Sequence, residues 1–305
     1  MQKTLFDEEK TLILKDHNCF IQHVELLKNG DFITCSVDGK AIIYDGKDKK
    51  LKLIINENQS IINYIKQLKD GNIVVSGDTV LIIKLENDNT NYQIIQTIDF
   101  YEEQSATVEL NNEKLVFSYP FSIYEKIDGK YIFVGGVSNI YSHSLLQIKE
   151  NEIATLSIEQ FLIIDFITFS IKKEYDFKGS YCFDSIKKVN EKLIGICGKK
   201  EIGICIYNIE SYQIQLYIQL DPLAYITTFF VINNNELLIA EYYDNSNNKR
   251  SDISHYLFTN SEELILINKK EKAHNYYIDA FIKLNDGTIV TSSWDLTSKV
   301  WTLNE

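Results

Sequence analysis

The sequence predicts an all-β fold built from seven repeats, and two observations carry that expectation. At seven regularly spaced places an Asn or Asp is followed by Gly or Glu and then by a short apolar run: Asn29-Gly30, Asp70-Gly71, Asn112-Glu113, Asn151-Glu152, Asn190-Glu191, Asn235-Glu236 and Asp286-Gly287. Successive pairs begin 41, 42, 39, 39, 45 and 51 positions apart. Behind each pair lies a short apolar run, such as Phe32-Ile33-Thr34, Ile73-Val74-Val75 or Ile289-Val290-Thr291. Hairpin turns between β-rich segments at a period of about forty mark a propeller rather than domains in series. The expected architecture is a single seven-bladed β-propeller domain over residues 1–305.

The elements follow from the turns. In repeat one, Ile21–Leu27 is a strand, Asn29-Gly30 turns the chain, and Asp31–Cys35 is the second strand. Asp38-Gly39 turns it again into Lys40–Tyr44, and Leu51–Ile55 supplies a fourth strand. Asn-Gly and Asp-Gly suit tight hairpins because both tolerate positive φ. Repeat seven has the same plan: Ile278–Leu284, Asn285-Asp286-Gly287, Thr288–Ser292, Trp294-Asp295-Leu296 and Ser298–Thr302. The chain ends at Glu305, so this repeat lacks a fourth strand. An unassigned strand-like piece, Thr11–Lys15, precedes repeat one. Pairing it with the last blade closes the ring and removes two open sheet edges. A frayed tail is the alternative, and closure is favoured because number, position and β-character agree.

Composition excludes several function classes. Hydrophobic residues make up 45%, ample for a large core, and the two prolines (Pro120, Pro222) leave no room for a Pro-rich linker. The short Asn-rich stretches at 87–91, 233–235 and 245–248 read as loops. Net charge is −12, so nucleic acid is a poor partner, since phosphates need clustered positive charge. Arg250 is the only arginine. Bidentate recognition of phosphate leans on Arg, so phosphopeptide and anionic-lipid readers are disfavoured too. The five cysteines (19, 35, 182, 197, 205) contain no C-x-x-C, and Cys35, Cys197 and Cys205 fall in apolar strands. That usage points to a reducing compartment. No apolar stretch approaches a membrane span and Met1–Lys10 is acidic and polar. The expected location is cytosolic, or nuclear with a partner, without membrane insertion.

At its two ends the repeat resembles the WD40 repeat family. That family opens a repeat with His, places Asp between the second and third strands, and ends the third strand with Trp-Asp. His17, Asp38 and Tyr44-Asp45 stand in those places in repeat one, and His274, Asp295 and Trp301 in repeat seven. The His-to-Asp spacing is 21 in both, and the Asp-to-aromatic spacing is six in both. The resemblance implies a buried hydrogen-bonded network completed by a second-strand hydroxyl, for which Thr34 and Thr291 are the candidates. A buried carboxylate needs donors, and imidazole and hydroxyl groups supply them, so both histidines read as structural rather than catalytic. The middle repeats depart from the pattern. Repeat two keeps Asp78 but has Lys84 near the aromatic position, and repeat five has Glu201 six residues before Tyr207-Asn208. A single Val134-Gly135-Gly136 resembles a kelch double glycine, but it occurs once.

No residue pattern nominates an enzyme. The histidines at 17, 23, 143, 255 and 274 show no i,i+2 or i,i+4 ligand spacing, and there is neither a Gly-rich phosphate loop nor G-x-S-x-G. Acidic runs such as Asp7-Glu8-Glu9, Glu102-Glu103 and Glu262-Glu263 read as solvated connections. No catalytic residue, metal or cofactor is expected. The resemblance implies a non-catalytic interaction scaffold or complex subunit that binds proteins or peptides through its loop face. The alternatives are a small-molecule or peptide sensor using the central channel, and an enzyme at the channel mouth. Candidate partner-binding residues are Trp294, Phe20, Tyr181, Tyr225, Tyr276 and Tyr277, with Lys249 and Arg250 from the polar stretch Asp244–Asp252. Aromatics around a depression are the usual makings of a hot spot. Packing between blades competes with binding for each of them. The 244–252 stretch reads as a polar insertion between the second and third strands of repeat six, either a recognition loop or an inconsequential one.

Overall fold

The computed structural model describes residues 4–304 apart from 58–59, 101–105, 139, 141, 158–159, 177–182, 199–202, 219, 222, 234, 246–247 and 259–263. Among the described residues there are seven four-stranded antiparallel sheets, the blades of a β-propeller. Blades one to six take consecutive strands, over residues 21–55, 62–99, 107–137, 142–176, 183–218 and 225–274. Blade seven is made of Ile278–Lys283, Ile289–Ser293 and Ser298–Leu303, and its outer strand is Phe6–Leu14 from the other end of the chain. That strand is longer than the sequence led us to expect, because Phe6 and Asp7 also pair, with Leu303 and Thr302, beyond a bulge between Asp7 and Leu12. The chain divides into two compact units. Residues 16–177 hold blades one to four, and residues 1–15 with 178–305 hold blades five to seven.

The recurring turn has a local cause. In blade one the Leu27 amide donates to the Asp31 carbonyl at 2.8 Å and the Asn29 side chain accepts the Asp31 amide at 3.1 Å. The same pair of bonds recurs at Leu68 and Asp70, at Leu110 and Asn112, and at Leu284 and Asp286. The Asx oxygen mimics a backbone acceptor, and the next residue then adopts positive φ: 93° at Gly30, 92° at Gly71, 86° at Gly287 and 65° at Glu113. The seven pairs are therefore not equivalent. Glu152 and Glu236 begin the second strands of blades four and six instead of turning the chain.

A second turn lies between the third and fourth strands. Asp45 accepts the Lys47 and Asp48 amides, Asp165 those of Ile167 and Thr168, and Asn208 those of Glu210 and Ser211. The acidic or amide residue after the third strand thus serves as a turn cap. Gly46, beside the first of these caps, donates its amide to Asp31 at 3.1 Å. A Cβ at this position would overlap the Gly30 carbonyl oxygen.

Continuously buried inner strands pack the blades. Phe32, Ile33, Thr34 and Cys35 are all fully buried, and so are Ile73, Val74 and Val75, which is what a central strand covered on both faces requires. In the unit of blades one to four, a clamp recurs between neighbouring blades. The Lys28 amide donates to Gln67 at 2.7 Å, the Lys69 amide to Glu109 at 2.7 Å, and the Asn111 amide to Gln147 at 2.8 Å. In the other unit, Leu5, Phe6, Leu238, Ile253, Phe281, Ile289 and Trp301 form one apolar cluster that joins blade seven to blade six.

Candidate functional site

The two end blades carry the same hydrogen-bonded relay. In blade seven, His274 Nδ1 lies 2.9 Å from Asp295 and Nε2 lies 2.7 Å from the Thr291 hydroxyl, which also accepts the Trp301 indole N–H at 2.9 Å. One proton arrangement satisfies every member: indole to Thr291, Thr291 to Nε2, and Nδ1–H to the carboxylate. Burial lowers the His274 pKa, against the pull of Asp295, so the neutral ring is the resident form. In blade one, His17 Nδ1 is 3.1 Å from both Asp38 oxygens and Nε2 is 2.9 Å from Thr34. The Tyr44 hydroxyl there donates to Asp16 at 3.1 Å.

Both aspartates also accept a backbone amide, from Asn18 at 2.8 Å and from Asn275 at 3.0 Å. Burial would raise the Asp38 pKa, but the bonds from His17 and the Asn18 amide outweigh it and hold the carboxyl at about 2. In Asp295 burial is likewise overcome, by His274 and Thr297, and the carboxyl stays well below its ordinary range. Asp78 of blade two accepts the Ser60 amide at 2.8 Å, but Val75 fills the level of Thr34 and the relay gives way to apolar packing. These groups are buried and mutually satisfied, which is the geometry of a scaffold.

The candidate binding residues separate. Tyr181 lies outside the described residues. Phe20 is on blade one, 37% exposed, and its carbonyl accepts the Val37 amide. Tyr225, Tyr276, Tyr277 and Trp294 come together in blades six and seven around a residue that the sequence had not singled out, Tyr242. Its ring centroid is 4.1 Å from Tyr277, 5.4 Å from Tyr276 and 6.3 Å from Tyr225. Trp294 stacks on Tyr276 at 5.9 Å and meets Tyr277 edge-on at 5.0 Å. Tyr242 occupies in blade six the place that Trp294 holds in blade seven, one residue beyond the position that pairs with Ile226 or Ile278 at the start of the first strand.

The cluster is held from behind. The Trp294 amide donates to the Tyr277 carbonyl at 2.9 Å, its indole donates to Asp279, and the Ser251 hydroxyl donates to the Tyr276 carbonyl at 2.7 Å.

The polar stretch Asp244–Asp252 is not a loop insertion. The second strand of blade six runs to Asn245 and the third resumes at Asn248, with Tyr242 paired to Ser251, Tyr243 to Arg250 and Asp244 to Lys249. The hairpin is simply longer, because Tyr242 and Tyr243 are buried and carry the ladder outward. Arg250 turns back onto Asp252 through Nε at 3.1 Å and lies 4.8 Å from the Tyr243 ring. Lys249 projects over the Tyr276 ring at 5.1 Å.

Behind the aromatics lies a charged network that the sequence did not reveal. Glu241, 1% exposed, pairs directly across the ladder with Asp252, which is fully buried. Like charges at such a pair repel, and Lys269 resolves the conflict by reaching Glu241 at 2.6 Å and Asp252 at 3.3 Å. Ser254 and Tyr256 also donate to Glu241, and Tyr243 donates to Asp221 at 3.0 Å. Burial lowers the Lys269 pKa, but the bond to Glu241 and the Tyr243 hydroxyl prevail and raise it. Only the step from the apolar run Leu237–Ala240 to Glu241 hinted at this network in the sequence.

Among the described residues no group of three or more His, Cys, Asp or Glu side chains is placed to hold a metal ion. The described cysteines, at 19, 35, 197 and 205, form no disulfide with one another, and no helix among the described residues is long and apolar enough to cross a membrane. In comparisons with known proteins, no family model matches the chain, and no curated protein matches it significantly in sequence.

Proposed function

We propose that this chain is a WD40-like, non-catalytic interaction platform of the cytosol that binds other proteins or peptides through the aromatic corner of blades six and seven. The observation that carries this reading is the cluster of Trp294, Tyr276, Tyr277, Tyr242 and Tyr225, pinned by Asp279 and Ser251 and rimmed by Lys249. Large amphipathic rings held rigid from behind lose little entropy on contact, which makes them efficient anchors. The relays of blades one and seven are internally satisfied and belong to the scaffold. WD40-like propellers as a class commonly act as platforms, and the shared relay supports placing this chain beside them.

The test is native purification with identification of bound proteins. Trp294→Ala should leave the melting temperature within a few degrees and reduce recovery of a stoichiometric partner about tenfold or more, the scale of a hot-spot residue. Full recovery with the variant would refute this surface.

A further inference from the structure

Two successive lysines of blade five stand in contrasting surroundings. Lys188 is exposed and pairs with Glu191 at 2.7 Å. Lys187 is partly buried on the first strand, Phe183–Lys188, and no carboxylate or other acceptor among the described residues engages its ammonium. Its place in the ladder makes this unusual. The Val189 amide donates to the Leu193 carbonyl as Leu68 does to Asn72 and Leu27 to Asp31. Two residues earlier, Lys187 therefore corresponds to Lys66 of blade two and Glu25 of blade one, which pair with each other at 2.6 Å. In blade six the same rung belongs to Phe230, which stacks on Phe281 of blade seven with centroids 6.4 Å apart.

Lys187 meets Phe229 of blade six in the corresponding way, its Nζ 6.0 Å from the ring centroid. Opposite it in the ladder stands Gly195, where a Cβ would overlap that same ring. Cys197, fully buried two residues on, turns its thiol to the Thr227 carbonyl. An amine thus occupies a rung that packs ring on ring one blade further, with an aromatic face before it and no counter-ion. A cation–π contact at that range recovers only part of what an ammonium loses on leaving water. Burial accordingly pushes the Lys187 pKa down to about 8, against a smaller pull from Cys197. At pH 7.4 this leaves roughly a fifth of the amine neutral, against about one part in a thousand for an ordinary lysine.

We propose that Lys187 is a covalent capture site for small aldehydes with an apolar or aromatic body, an activity separate from the aromatic corner. The amine nitrogen attacks the carbonyl carbon to give a carbinolamine. The carbonyl oxygen then leaves as water, carrying both amine protons, and a C=N bond remains; hydrolysis returns the two partners. A lysine desolvated against apolar surface is the kind suited to this chemistry. The Phe229 ring covers the body of the aldehyde, and the absence of an ion pair among the described residues leaves the amine free to lose its proton.

The test treats the full chain with a limiting amount of benzaldehyde and sodium cyanoborohydride at pH 7.4 and locates benzylated lysines by peptide mass mapping. Lys187 should be labelled about tenfold or more faster than Lys188, given its larger neutral fraction. Lys187→Arg should remove the fast phase and leave the rest of the map unchanged. Competitive acetylation with acetic anhydride over a range of pH should give Lys187 of the parent protein a midpoint near 8. Labelling of Lys187 no faster than that of Lys188, or a midpoint at the ordinary lysine value, would overturn the proposal, whatever the variant does.

Discussion

At the level of single residues, the relay of His274, Asp295, Thr291 and Trp301 is a chain in which each member satisfies the next. Asp295→Ala leaves the buried Nδ1–H of His274 and the Asn275 amide without their acceptor, and should destabilise the protein by about 3 kcal/mol. Trp301→Phe keeps most of the packing and loses one bond, a cost of about 1 kcal/mol. Urea unfolding measures both, and equal losses would contradict the relay. The pH dependence has a definite sign. His274 has a pKa below its ordinary 6.5 in the folded protein, so the unfolded chain takes up its proton first and stability falls as pH drops below that value. Asp38 is depressed from 3.8 to about 2, so its contribution is complete above 3.8 and is lost as pH falls towards 2. The melting temperature should therefore decline in two stages on acidification. A flat profile from pH 7 to pH 4 would rule out a neutral buried His274.

At the level of the element, blade six is where chemistry and folding meet. Its lengthened hairpin sets Glu241 opposite Asp252, and Lys269 of the outer strand neutralises the pair. Lys269→Met keeps the stem but leaves buried Glu241 without its cation beside Asp252, which keeps only Arg250, and should cost about 3 kcal/mol or more. Lys269→Arg should recover most of that loss. Calorimetry of the two variants decides it, and indifference to Lys269→Met would mean that the pair is solvated. The same hairpin holds buried Tyr242 under the aromatic cluster and sets Lys249 over the Tyr276 ring, so a weakened blade six would also disturb the proposed binding surface. Stability must therefore be measured beside binding for every variant in this blade.

At the level of the whole molecule, the two ends of the chain share one sheet. Phe6–Leu14 pairs with Ser298–Leu303, and Phe6 packs on Trp301 with centroids 4.9 Å apart. Deleting residues 1–14 would expose the edge of Ser298–Leu303 and open the core around Trp301. The truncated chain should melt at least about 10 °C lower, the shift expected for several kcal/mol lost from a large domain, and should aggregate through its open edge. Unchanged melting and monodispersity by light scattering would show that the strand is dispensable.

Much of this was legible in the sequence, for reasons of range. The period, the Asx turns and the strand order are local, because an Asn or Asp oxygen reaches an amide two residues on. The relay positions follow from spacings that hold along the strands of one blade, as His274, Thr291 and Asp295 illustrate. Even so, Glu152 and Glu236 look like their counterpart Glu113 in sequence and do something different in structure. Long-range pairing was not legible. Nothing near Tyr242 in the chain announces that Tyr225, Tyr276, Tyr277 and Trp294 will surround it, or that Lys269 will stand between Glu241 and Asp252. By itself the sequence determined a seven-bladed propeller completed by its N-terminal strand, since repetition and alternation suffice for that. Only the tertiary structure decided which aromatics converge and which charges are already engaged, because those depend on packing between strands far apart in the chain.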